Sequence, residues 1–183
     1  QELAVKLAML GRNLPESKYA EWIGCFWESL TREWQDFDRY RMNKYLKLVR
    51  IQTAEMFHSL RESSYDADLA KAIMGEMRAP GGPLHLASAS GVALVLANFW
   101  WQEFKVEMDA AEPPAPVMLA LLDPWAELLA HSPQDHVRTR ITELLDAVPV
   151  QFAKELAAKA MGVGAQPKLK QPNRTALYAL VDS

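Results

Sequence analysis

The sequence predicts an all-α fold of stacked antiparallel helices, a HEAT-like or armadillo-like helical scaffold, and three observations carry that prediction. Apolar residues recur at three- or four-residue intervals along almost the whole chain. Alternating, β-branched runs bounded by turns are nearly absent. Proline, glycine and capping residues cut the pattern into roughly eight pieces of helical length joined by short breaks, although no clean repeat period accompanies them.

The first amphipathic piece runs from Glu2 to Leu10 and ends at Gly11. Pro15 opens a long helix in which Tyr19, Trp22, Ile23, Phe26, Trp27 and Leu30 share one face. A second long helix is expected from about Arg39 to Arg61, with Met42, Tyr45, Leu46, Val49 and Met56 in one stripe packed against the first. Ser63, Ser64 and Asp66 offer N-caps to a third helix reaching Met77, which Pro80-Gly81-Gly82-Pro83 stops. The apolar segment Leu84 to Met108 follows, and the proline-rich stretch Glu112 to Pro116 is the next break. Asp123-Pro124 reads as an N-cap with proline at the first helical position, and Ser132-Pro133-Gln134-Asp135 repeats that signature, so two short antiparallel helices are expected there. Gln151 to Met161 is a further amphipathic piece, and Asn173 is placed as the cap of a final helix. In domain terms this gives a helical core over 1–161, a mobile linker over 162–172 and a C-terminal helix over 173–183.

Half of the 183 residues are hydrophobic and 23% are charged, an ordinary globular balance. A chain of this length buries about 70% of its unfolded surface, as one domain or one run of repeats. With 20 Lys and Arg against 23 Asp and Glu the net charge is −3, which excludes a uniformly basic nucleic-acid coat and a disordered acidic tail. Any basic surface must be local. Cys25 is the one cysteine, so neither an intrachain disulfide nor a cysteine metal cluster forms, and a reducing, intracellular compartment fits. Gln1 in place of Met, with no charged-then-apolar leader, leads us to expect a fragment or processed piece without a signal peptide. The uncharged run Ala79 to Gln102 is long enough to span a membrane, but Pro80, Gly81, Gly82, Pro83, His85, Ser88, Ser90 and Asn98 interrupt it. A buried helix behind a loop is expected instead, with no membrane contact.

The spacings that announce catalysis are missing: there is no H-E-x-x-H, no G-x-G-x-x-G and no P-loop. We therefore expect no enzyme, no cofactor and no metal site. His131 and His136 straddle a helix start at a separation that does not align both rings on one face. His58 lies at the end of the second long helix and His85 follows the Gly82-Pro83 break; both read as structural hydrogen-bonders. Cys25, beside Phe26 and Trp27, reads as a small buried packing residue. Core packing is the favoured role for Trp100, Trp101 and Trp125, with base stacking or contact to a protein partner as the alternative. Adjacent helical residues point about 100° apart, so Trp100 and Trp101 cannot both face one narrow core stripe. That leaves one of them available to a partner surface.

The informative charge pattern is Arg39, Arg41, Lys44, Lys47 and Arg50, five basic residues in a stretch without an acid. Setting them aside leaves 15 basic against 23 acidic residues, so the remaining chain carries −8. On a helical wheel with Arg41 at zero, Met42, Tyr45, Leu46 and Val49 fall between about 40° and 140°, and all five cations lie on the remaining arc. One side of this helix is apolar and the other cationic. Such a face can hold the phosphates of a structured RNA without reading its sequence, or meet an acidic partner. The competing reading is a solvated face, or cations paired with Glu33, Asp36 and Asp38.

Taken together, Phe26-Trp27, Arg32-Glu33-Trp34, Asp38-Arg39, Arg41, Lys44-Tyr45 and Arg50 resemble the signature of the eukaryotic ribosomal RNA-processing protein 1 family. The likeness extends back through Gln1-Glu2-Leu3 and forward through Gly82-Pro83-Leu84-His85-Leu86, Asp123-Pro124-Trp125 and, more loosely, Asn173-Arg174 with Leu177-Tyr178. The resemblance implies a nucleolar, non-enzymatic assembly factor of the large (60S) ribosomal subunit, a helical scaffold required for processing the precursor RNA that contains the internal transcribed spacers. It implies as partners the pre-ribosomal large-subunit RNA, WD40-propeller and Brix-domain assembly factors, and ribosomal proteins. It also implies a further helical segment before these residues and a long basic extension after them.

The expected function is architectural: the Arg39 to Arg50 face meets phosphate or an acidic partner, and binding energy rather than a nucleophile assists processing. The alternative is a protein–protein adaptor with little RNA contact, using Trp100 or Trp101, Trp125 and the 112–116 loop. An RNA-modifying or RNA-cleaving enzyme working through His58, His85 or Cys25 is the third reading.

Overall fold

Most of the sequence punctuation becomes helix boundaries in the computed structural model, which describes residues 2–88 and 90–181. Gln1, where the family resemblance begins, and residues 182–183, expected in the last helix, lie outside the described residues. The helices are α1 (Glu2–Met9), α2 (Glu16–Glu33), α3 (Arg39–Glu62), α4 (Ala67–Arg78), α5 (Ser90–Met108), α6 (Ala115–His131), α7 (Asp135–Asp146), α8 (Ala153–Gly164) and α9 (Gln171–Ala179). Short 3₁₀ turns at Leu10–Asn13, Trp34–Asp36 and Val150–Phe152 connect or extend them. No strand occurs among the described residues.

Each helix packs chiefly on the helix two places along the chain, so α1, α3, α5 and α7 form one row and α2, α4, α6 and α8 a second. α9 lies against α6, α7 and α8. This is a stack of helical hairpins, the HEAT-like of the two expected forms. The sequence shows no repeat period because the units differ in length: α1 has 8 residues where α3, the next in its row, has 24.

The core lies between the rows. Trp27, Phe57, Trp100, Phe104 and Trp125 are all fully buried. Trp100 meets Phe57 edge-on at 4.9 Å and Trp125 edge-on at 5.2 Å, so one chain of rings ties α3, α5 and α6 together across the two rows. Of the caps expected for α4, Asp66 serves, accepting hydrogen bonds from the Asp68 and Leu69 amides, and Asp38 caps α3 in the same way, accepting from the Tyr40 and Arg41 amides. In the turn after α4, Gly81 sits at φ +89°, a region that favours glycine, and the Gly82 backbone presses against the Met77 carbonyl so closely that no Cβ fits.

Four expectations are corrected. Asp123-Pro124 opens no helix; it lies inside the single helix α6. An interior proline costs about 3 kcal/mol, but Leu121, Leu122, Trp125, Leu128 and Leu129 are buried around it, and their packing outweighs that cost. Ser132 stands at the C-terminal end of α6 rather than starting α7. The segment 162–172, expected as a linker, is folded onto the stack: α8 continues to Gly164, Leu169 is buried, and Arg174 donates to the carbonyls of Gly164 and Gln166 at 3.2 and 3.0 Å. Asn173 does not cap its own helix, which begins at Gln171. Its buried amide donates to the Leu129 and Ser132 carbonyls at 2.8 and 3.0 Å and so closes the end of α6.

Candidate nucleic-acid interface

The basic face is built on a rigid corner between α2 and α3. Trp34 meets Phe37 edge-on at 5.8 Å, and Phe37 stacks on Tyr45 of α3 at 3.4 Å. Asp38 follows as the α3 N-cap and also takes the Arg41 guanidinium, Nε to Oδ2 at 2.5 Å. That bond holds the Asp38 carboxyl below its ordinary range and raises Arg41. Several residues of the family-like signature therefore have structural tasks: Phe26 and Trp27 in the core, Trp34 at the corner, Asp38 as a cap, and Arg32 and Glu33 as a mutual pair at 2.9 Å.

From this corner α3 projects its cations. All five candidate residues, Arg39, Arg41, Lys44, Lys47 and Arg50, are exposed on one helix. They differ in what neutralises them. Arg41 is paired with Asp38, and Arg50 with Glu103 of α5, Nε to Oε1 at 2.5 Å. Arg39 lies over the Tyr40 ring at 5.0 Å. Lys44 and Lys47 make no ion pair among the described residues. The pairing expected as a competitor thus accounts for Arg41 and Arg50, and of the acids considered only Asp38 takes part.

Grooves flank the face on both sides. Between α1 and α3 a cavity of about 520 Å³ has Leu3, Leu7 and Leu48 in its lining with Arg41, Lys44 and Lys47 beside them. Between α3 and α5 an open cavity of about 810 Å³ takes Lys47 and Arg50 together with Glu55, Glu103 and Glu107. Lys47 belongs to both. The carboxylates make the second groove the less attractive one for phosphate, and the first has none in its lining.

The sequence reading missed Tyr40. Its side chain is 80% exposed, the most open of the large aromatic rings, and it rises among the cations. The same helical wheel would have found it, because Tyr40 falls at about 260°, between Lys47 and Lys44. An exposed ring among unneutralised lysines is the combination that stacks bases while holding phosphates.

The tryptophan expectation divides. Trp100 and Trp125 are fully buried, so neither has a surface to offer a partner; their place in the ring chain explains them. Trp101 is half-buried and donates its Nε1–H to the Leu144 carbonyl at 2.6 Å, which ties α5 to α7. The wheel argument that the two adjacent rings must diverge holds. Cys25, expected to be buried, is exposed: Ile23, Phe26, Trp27 and Leu30 take the core face of α2, and residue 25 turns away.

The histidines make structural contacts. His58 has its acidic neighbour on another helix, Glu107 of α5 at 3.4 Å, and that carboxylate also binds Arg61 at 2.5 Å. His131 lies 3.4 Å from Glu127, and His85 accepts the Ala87 amide at 3.2 Å. Among the described residues no group of three His, Cys, Asp or Glu side chains is placed to hold a metal, and no helix is long and apolar enough to cross a membrane.

Fold and site together define a helical-repeat scaffold with a cationic, tyrosine-bearing outer face. Comparison with known proteins supplies the family: the model for "Nucleolar protein, Nop52" matches residues 1–174, and the chain belongs to that family of nucleolar proteins. It is 26% identical over 165 residues to mouse (Mus musculus) ribosomal RNA processing protein 1 homolog B, covering 83% of this chain and 22% of that protein. The human (Homo sapiens) homolog B is 26% identical over 141 residues, covering 74% and 18%. Mouse homolog A is 23% identical over 165 residues, covering 84% and 32%. The chain therefore spans only about a fifth to a third of the length of these relatives.

Proposed function

We propose that this chain is a non-enzymatic scaffold in nucleolar rRNA processing, acting in assembly of the large ribosomal subunit, and that it docks precursor rRNA on the outer face of α3. The observation that carries the reading is the conjunction of two unneutralised lysines, Lys44 and Lys47, with the exposed Tyr40 ring on one rigid helix. Ribosomal RNA processing stands in the names of the relatives, and the family is one of nucleolar proteins. The contact is of the backbone kind: lysines act as point charges on phosphate, Tyr40 stacks on an unpaired base, and no residue reads an edge pattern. Arg39 lies over Tyr40 and extends the stacking surface. Arg41 and Arg50 contribute less, since reaching a phosphate means leaving Asp38 or Glu103.

Catalysis has no part in this reading. The scaffold holds RNA segments and neighbouring proteins in one arrangement, and processing follows from that arrangement. WD40-propeller and Brix-domain factors and ribosomal proteins are the protein partners that the family resemblance implies.

The test is RNA–protein crosslinking with mass spectrometry on native particles purified through this protein, comparing the natural sequence with the Lys44→Ala/Lys47→Ala pair. Large-subunit precursor RNA crosslinked at Tyr40 to Arg50, and depleted in the double variant, is the expected result. Pre-ribosomal proteins recovered unchanged with no RNA at α3 would replace this reading with the adaptor, and particles without ribosomal precursors would refute it altogether.

A further inference from the structure

The row opposite α3 carries a third groove whose chemistry suits a different occupant. It is a cavity of about 440 Å³ between α4 and α6, reached by Lys159 of α8. Met74, Pro116, Leu119 and Pro124 give it apolar walls. At Gly75 the helix has no side chain, and a Cβ built there meets nothing within 4 Å, so the groove is open above that point.

Its charges are unbalanced. The lining holds three cations, Lys71, Arg78 and Lys159, and one carboxylate, Asp123. Asp123 is shared: Oδ2 takes Arg78 at 2.8 Å and Oδ1 takes Lys159. Lys71 reaches only Asp68, at 3.0 Å, whose side chain is 91% exposed and whose pull is screened by water. Burial holds the Lys159 ammonium below the usual lysine range, and the nearby Arg78 charge acts in the same direction. A further anion would relieve both.

Pro124 adds a polar feature. A proline has no N–H, so the carbonyl of Ala120, four residues earlier, lacks its helical donor. Ala120 and Pro124 both line the groove. The same cleft thus combines an acceptor without its helical bond, excess positive charge and apolar walls.

We infer that the α4/α6 groove docks an acidic, apolar-bearing segment of a partner protein, with carboxylates on Lys71, Arg78 and Lys159 and small apolar side chains against Met74, Leu119 and Pro124. An RNA strand fits less well, because its phosphates would face the Asp123 carboxylate. The scaffold then grips two kinds of partner on opposite rows, and this inference does not depend on the RNA reading of α3.

Zero-length carbodiimide crosslinking, which joins lysine ammonium groups to carboxylates, tests the groove on native assemblies purified through this protein, before and after ribonuclease treatment. The probe variants are Gly75→Leu, which fills the open space on a helix that accepts leucine better than glycine, and Lys71→Glu, which reverses one exposed charge. The expected result joins Lys71 and Lys159 to Asp or Glu residues of one partner segment that also carries apolar residues. Those links survive ribonuclease and fall at least tenfold in Gly75→Leu, and the Lys159 link falls at least tenfold in Lys71→Glu, while RNA crosslinks at α3 keep their natural level. The inference is overturned by links confined to this chain or a second copy of it, by RNA crosslinks at Lys71 or Lys159, or by undiminished links in Gly75→Leu. Loss of RNA at α3 with the groove links intact would count against the RNA reading alone.

Discussion

α3 and α6 belong to opposite rows of one stack and have opposite characters. Of the 17 residues of α6, 11 are buried, spread from its first turn to its last. Of the 24 residues of α3, seven are buried, and all lie from Val49 onward. α6 is the keel on which α4, α7, α8 and α9 pack, whereas the first ten residues of α3 are an outer surface held by a corner at one end and a core at the other. Extensive burial lets α6 tolerate an interior proline, and the want of burial lets α3 keep five cations and an open tyrosine. Stability and binding are therefore expected to separate along these two helices.

The largest effect expected from breaking that separation is at Trp100, whose ring joins the two helices. Trp100→Ala should cost about 3–5 kcal/mol of stability, read by thermal or denaturant unfolding, and should lower binding only by depleting the folded protein. Next comes Asn173→Ala, which leaves the Leu129 and Ser132 carbonyls at the end of α6 without their donor. A loss of about 1–3 kcal/mol is expected, and the amides of α9 should lose hydrogen-exchange protection with it. On α3 the pattern reverses. Tyr40→Ala should leave unfolding within about 0.5 kcal/mol of the natural protein, yet weaken single-stranded RNA binding by about 1–3 kcal/mol in a titration. Tyr40→Phe should retain most of that affinity, because stacking uses the ring and not the hydroxyl.

What was legible in the sequence follows the same division. The periodic stripes of α2 and α3 were read with their boundaries because core contact and helical spacing agree there. Asp66 was legible as a cap because a cap acts within three residues. The cationic arc was legible too, since a wheel needs only local geometry.

Most of the misreadings involve a partner far along the chain. Asp123 looked like a cap for Pro124, but its carboxylate serves Arg78 of α4 and Lys159 of α8. Asn173 has the residue type of a cap and does cap a helix, but one that ends some forty positions earlier. His58 pairs with Glu107 across the row, although Glu55 and Glu62 stand at helical spacing on its own helix. Which α3 cations are neutralised depended on Glu103, also in α5. Cys25 failed differently: a sequence neighbour of two core aromatics is not a neighbour on the helix face. Tyr40 needed no tertiary information, since the helical wheel alone places it between Lys44 and Lys47.

The central claim, that Lys44 and Lys47 hold RNA phosphates, is tested most directly by the salt dependence of RNA affinity. The full-length protein and its Lys44→Ala/Lys47→Ala variant would be titrated with a large-subunit precursor RNA fragment over a range of salt concentrations. Two phosphate contacts predict that the slope of log K against log salt becomes shallower by about 1.4–1.8 in the variant. Parallel slopes, with equal affinity at low salt, would contradict the account and place the RNA contact away from α3.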